Sequence, residues 1–178
     1  GTTKNFSDYL FQTAKADWAI EKPADPFPFQ TGEGAQGTSG VVDAVKNGTG
    51  TIGYADASKA GKLGVANIKV GNKFVKYTPE AAAAVVAESK PVDGRSKTDM
   101  AISIDRTTTD ASHYPIVLVS YLIGCNEYQD TAAAELVKAY FSYILSEQGQ
   151  LDAQANAGSA PLTREVADKA LAIVGAVK

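Results

Sequence analysis

From Asp130 onward the chain carries its clearest hydrophobic repeat. Ala133, Leu136, Val137, Tyr140, Phe141, Ile144 and Leu145 fall on one face of a 3.6-residue period, which predicts a long amphipathic helix ending at Gly149. Phe6, Tyr9, Leu10 and Thr13 mark a similar face in a first helix, with Thr2 or Thr3 as its natural N-cap. Val41, Val42, Ala44 and Val45 predict a second helix, capped by Thr38 or Ser39 and stopped at Asn47-Gly48. Thr78-Pro79-Glu80 places Pro at a first helical position and opens a helix running to Lys90. Shorter helices are expected over 55–63 and near 151–155. After the turn Gly158-Ser159-Ala160-Pro161, Val166, Ala170, Ile173, Val174 and Val177 define a last one.

Strand signals alternate with these helices. Residues 51–54 read as a short strand, residues 65–70 and 73–77 as a hairpin turned on Gly71-Asn72, and 100–104 as a further short strand. Residues 114–123 are β-branched and apolar without alternation, as expected of a strand buried on both faces. Residues 24–36, rich in Pro and Gly, read as a loop. The alternation predicts a layered α/β fold with helices on a mainly parallel sheet. So few strands imply a sheet that takes partners from elsewhere.

Composition adds bounds. The 178 residues are 44% hydrophobic and 21% charged, an ordinary globular balance. A net charge of -3 and a pI near 5.2 leave no overall electrostatic footprint for nucleic acid. The longest nearly uncharged apolar run, 114–125, is shorter than the roughly 20 residues that span a bilayer. Cys125 is the only cysteine, so neither an internal disulfide nor a cysteine-based metal cluster is available. A buried thiol is the expected role, and half of a bridge to another segment is the alternative.

Candidate chemistry concentrates at Gly1-Thr2-Thr3, a glycine and hydroxyl-rich run entering the first helix. Unpaired amides and the positive end of the helix dipole make such a turn an anion cradle, and an oxyanion the first ligand to expect. Other motifs fail on context. Gly32-Glu33-Gly34-Ala35-Gln36-Gly37 has the G-x-G-x-x-G spacing with Asp56 downstream, yet a Pro-rich segment precedes it where a dinucleotide site needs a strand. Gly37-Thr38-Ser39-Gly40-Val41 lacks the second Gly of a nucleophile elbow. His113, the only histidine, has no Ser or Cys motif to act on. Asp105, Asp110 and Glu127 follow no metal-loop spacing, so neither a metal nor a cofactor is expected.

Three segments together resemble the extracytoplasmic phosphate-binding proteins of phosphate-specific ABC transporters, members of the two-lobed solute-binding family. They are Gly1-Thr2-Thr3 with the following helix, the block 34–54, and Tyr114-Pro115-Ile116-Val117-Leu118-Val119-Ser120-Tyr121; the likeness extends through Gly158-Ser159-Ala160-Pro161-Leu162. That family's signature loop is an Arg-x-Asp-x-Ser-Gly-Thr run, whose last two positions match Gly1 and Thr2. The resemblance implies a C-terminal portion of the protein: 1–113 as the later part of the second lobe, 114–121 as a hinge crossover strand, and 122–178 as the C-terminal part of the first lobe. It further implies inorganic phosphate bound by Gly1, Thr2 and Thr3. The partners implied are the N-terminal half of the same protein and a membrane permease, in an extracytoplasmic bacterial setting.

The function expected is therefore capture of phosphate between two lobes and delivery to an ABC importer, by a binding protein and not an enzyme. The alternatives are a receptor for another oxyanion, or a phosphatase or phosphotransferase using the same cradle.

Overall fold

The computed structural model describes residues 1–19, 23, 25–29 and 31–178. The chain forms two compact units, neither contiguous in sequence: Gly1–Tyr77 with Arg106–Leu118, and Thr78–Asp105 with Val119–Lys178.

The first unit opens with α1 (Thr2–Thr13), followed by α2 (Gly37–Asn47), a 3-10 turn over Ala57–Lys59, and the hairpin of β1 (Ile68–Val70) and β2 (Lys73–Val75). The hairpin pairs antiparallel around Gly71-Asn72 as its sequence predicts, with Ile68 opposite Val75 and Lys69 opposite Phe74. Gly71 holds a φ of 58° at the turn, and a Cβ there would stand 2.6 Å from the Thr109 carbonyl oxygen, so both conformation and packing require glycine. An aromatic cluster fills the space beside α1. Phe6 stacks on Tyr54 with centroids 4.4 Å apart, and Trp18 meets Phe29 edge to face at 5.0 Å. Of the expected loop 24–36, residues 24 and 30 lie outside those described; the described remainder carries no regular structure before the start of α2.

The second unit contains α3 (Pro79–Glu88), the two-residue strands β3 (Lys90–Pro91) and β4 (Ile102–Ser103), and the helices α4 (Thr131–Leu145), α5 (Glu147–Ala157) and α6 (Arg164–Gly175). The Thr78 hydroxyl caps α3 by accepting from the Ala81 amide, and Ala81, Ala82 and Val85 are buried beneath it. α4 packs against both α5 and α6, burying Ala134, Leu145 and Val174. α3 stops at Glu88, two residues before the expected end. Ser89, in extended conformation, donates its hydroxyl to the Val85 carbonyl and accepts from the Asp105 amide.

Five expectations are corrected. The long helix ends at Leu145, not Gly149, because Ser146 turns extended and serves two helices. Its hydroxyl donates to the Tyr143 carbonyl and accepts from the Gly149 amide, so it closes α4 and caps α5. Two residues placed on the inward face, Leu136 and Tyr140, are 70% and 60% exposed. Residues 51–54 and 114–123 are irregular, without ladder bonds. The backbone at Gly53 lies instead against Val41 and Val45, and the carbonyls of Pro115 and Val117 accept from Arg106. Finally, the sheets among the described residues are two antiparallel pairs and not a mainly parallel sheet. The expected helix over 55–63 is reduced to the 3-10 turn, which Asp56 caps through the Ser58 amide.

Candidate functional site

The front turn of α1 is organised by Gly1. Gly1, and not Thr2 or Thr3, is the N-cap, and no side chain caps the helix. The first intrahelical bond runs from the Asn5 amide to the Gly1 carbonyl at 3.1 Å. The amides of Thr2, Thr3 and Lys4 precede it, the arrangement that favours negative charge at a helix start. Gly1 and Thr2 are exposed, whereas Thr3 is half-buried and its hydroxyl pairs with the Tyr54 hydroxyl at 2.9 Å. Space around Gly1 is open, since an added Cβ would meet no atom within 4 Å. The Gly1 amine also lies 3.0 Å from the Asp25 carboxylate.

What fixes this helix is Arg106, which sequence reasoning missed. Its side chain is 2% exposed, and four of its N–H donors are accounted for by named acceptors. Nε donates to Asp8 Oδ2 at 2.6 Å and Nη2 to Asn5 Oδ1 at 2.6 Å, both on α1. Nη1 donates to the carbonyls of Pro115 at 2.9 Å and Val117 at 3.3 Å. A buried guanidinium is tolerable only with its donors matched, and this one is matched from two segments at once. Asn5 and Asp8, one helical turn apart on α1, form a polar notch that sequence pattern could have flagged. Nothing in the sequence identified Arg106 as its partner. Beside it Tyr114 packs edge to face on Tyr77 at 5.4 Å, and burial, with the neighbouring Tyr9 and Tyr77, pushes its phenol pKa up.

The remaining candidates take structural places. His113 is buried, and its Nδ1 lies 3.0 Å from the Thr108 hydroxyl. Asp110 is held below the usual carboxylate range by bonds from the Ser112 amide and hydroxyl. Cys125 is exposed, contrary to the expected buried thiol, because residues 121–127 all lie on the surface. Gln36, not Thr38 or Ser39, is the N-cap residue of α2, and Gly37 is its first residue. The G-x-G-x-x-G run therefore ends in a helix start preceded by no strand among the described residues. No group of three or more metal-ligating side chains occurs among the described residues.

The described residues form a mixed helix-and-sheet fold of the α/β class. The sequence model of the PBP superfamily domain matches residues 1–148, and the chain belongs to that family. It is similar to phosphate-binding protein PstS 3 of Mycobacterium tuberculosis, 33% identical over 147 residues that cover 79% of this chain and 39% of the relative. PstS 2 of the same organism is 30% identical over 182 aligned residues, covering 99% of this chain and 48% of the relative. PstS of Xylella fastidiosa is 26% identical over 155 residues, covering 86% and 42%. The chain thus spans about half the length, or less, of the curated relatives it matches. No solved structure matches.

Proposed function

We propose that the chain is part of an extracytoplasmic solute-binding protein that captures inorganic phosphate between two lobes and delivers it to an ABC importer. The observation that carries this reading is the alignment of relatives named as phosphate-binding proteins across a chain whose leading helix presents an uncapped first turn. Dehydrated phosphate loses several kcal/mol of hydration unless donors replace the water. Gly1 allows close backbone approach, Thr2 offers an amide and an exposed hydroxyl, and Thr3 offers its amide while its hydroxyl is held by Tyr54. The remaining ligands come from the N-terminal half of the same protein, as the length of the relatives suggests.

The parts of lobes proposed are 1–113, the later part of the second, and 122–178, the C-terminal part of the first, joined by the crossover 114–121; the compact units divide the chain differently, grouping Thr78–Asp105 with Val119–Lys178. The protein acts by binding and release, with no chemical step.

Calorimetric titration of the full-length protein with phosphate, arsenate and sulfate, beside an assay for phosphate-ester hydrolysis, tests the reading. Tight phosphate binding without turnover is the expected result. Turnover would replace the receptor by an enzyme, and preference for sulfate would make it a receptor for a different oxyanion. The isolated 178 residues are expected to bind phosphate weakly or not at all, and sub-micromolar affinity for them would overturn the proposal that a second half completes the site.

A further inference from the structure

Residues 57–79 hold Lys59, Lys62, Lys69, Lys73 and Lys76 and not one Asp or Glu. Taking these five positive charges from the net -3 leaves -8 on the rest of the chain, so charge is sharply segregated. All five lysines are exposed, and none has an ion-pair partner among the described residues, whereas Lys138 and Lys169 pair with Glu135 and Glu165.

The hairpin register sorts these side chains. Ile68, Val70 and Val75 turn inward, with Val70 only 2% exposed. Lys69 and its cross-strand partner Phe74 share the outward face, and strand alternation puts Lys76 beside Phe74 on that face. Phe74 is 73% exposed, an aromatic ring set in water among ammonium groups. Gly71 backs onto the Thr109 carbonyl, which braces the turn next to Lys73. The Asp110 carboxylate accepts the Ser112 amide and hydroxyl on Oδ1 and makes no ion pair with these lysines.

We propose that this outward hairpin face, Lys69, Phe74 and Lys76, docks on an anionic lipid bilayer, with Lys73, opposite Val70 on the other face, adding charge from the turn. An unneutralised cationic strip on an acidic protein calls for a negative surface, and the residue types choose among such surfaces. The strip holds lysine and no arginine, and lysine is depleted in protein interfaces where arginine is enriched. Lysine clusters beside an exposed aromatic ring are the composition that binds lipid headgroups and seats the ring at the acyl boundary. Docking here is independent of the phosphate reading and leaves α1 uninvolved.

Co-sedimentation of the chain with vesicles of phosphatidylglycerol and phosphatidylcholine, or of phosphatidylcholine alone, tests this. Binding is expected only to the vesicles containing phosphatidylglycerol and should disappear at about 1 M salt, where screening acts within about 3 Å. The triple variant Lys69→Gln, Lys73→Gln, Lys76→Gln should lower the partition coefficient by about a hundredfold. Phe74→Ser should lower it several-fold, with the salt dependence unchanged. Lys138→Gln with Lys169→Gln should bind as wild type, and circular dichroism of each variant verifies folding. Equal binding to neutral vesicles, no binding to either, or wild-type binding by both hairpin variants would overturn the proposal. So would retention by DNA or polyglutamate without binding to the phosphatidylglycerol vesicles, which would assign the strip to a nucleic acid or an acidic protein.

Discussion

Arg106 and Asp8 stand 98 residues apart in the sequence and 2.6 Å apart in the structure, Nε to Oδ2. With Asn5 Oδ1 and two carbonyls also on the guanidinium, this one side chain holds α1 against 115–117. Replacing Arg106 by Leu leaves buried acceptors without donors, and the expected loss is about 3–5 kcal/mol of stability in the first unit. Urea unfolding followed by the fluorescence of Trp18, the only tryptophan and a member of that unit, reads it directly. Arg106→Lys should recover only part, because one ammonium cannot reproduce the planar fork. An unchanged midpoint for Arg106→Leu would remove the assigned role.

The two threonines of the front turn should separate in a binding measurement. In the full-length protein, Thr2→Val is expected to weaken phosphate binding by about 1–3 kcal/mol, the loss of one donor to a charged ligand. Thr3→Val should act less on affinity and more on stability, since its hydroxyl is bound to Tyr54. Calorimetry and a melting curve on each variant distinguish them; a Thr2 variant as tight as wild type refutes that assignment.

Gly149→Ala should cost about 2–3 kcal/mol, because the new Cβ would collide with the Tyr143 carbonyl oxygen where Ser146 turns the chain between α4 and α5. Backbone, not a flexible side-chain tip, must yield there. Denaturant unfolding followed by circular dichroism at 222 nm provides the measurement, and wild-type stability would contradict the tight corner.

Tyr143 donates to Asp152 Oδ2 at 2.6 Å, and this bond, with a second from Gln148, holds the Asp152 carboxyl below its ordinary 3.8. A depressed folded-state pKa contributes stability that is present above 3.8 and lost as pH falls through the folded value. The Tyr143 phenol is raised above 10.0 chiefly by the same bond, so its contribution is lost as pH rises through its folded value. Tyr143→Phe should move the Asp152 titration, followed by carboxyl NMR, upward toward 3.8. An unmoved titration would show that Tyr143 is not the main cause.

Local chemistry was legible where it was self-contained. Gly71-Asn72 set the hairpin register, Thr78-Pro79 opened α3, and Gly158, read as the start of a turn, closes α5 in the left-handed conformation. Strand assignments failed where the pattern records only apolarity. Residues 114–123 have the composition of a buried strand, but a ladder needs a neighbouring backbone, and two of their carbonyls answer a guanidinium instead. The end of α4 was missed because the hydrophobic repeat runs through Ser146, whose two backbone bonds have no periodic signature. Arg106 was invisible for another reason: its side-chain partners on α1, Asp8 and Asn5, lie 98 and 101 residues away. Total charge likewise concealed the lysine strip, since a sum over the chain erases its segregation.

The chain passes between its two compact units three times, after Tyr77, after Asp105 and after Leu118. Ribosomal synthesis therefore delivers α1 long before the guanidinium that anchors it, and the carbonyls of Pro115 and Val117 emerge later still. The first unit cannot close during translation until residue 118 has left the exit tunnel, by which time all of 78–105 is already waiting for its own companions. A single protease cut within one passage would leave two pieces that still share a packed unit, so a nicked chain is expected to stay together until denaturant separates the pieces.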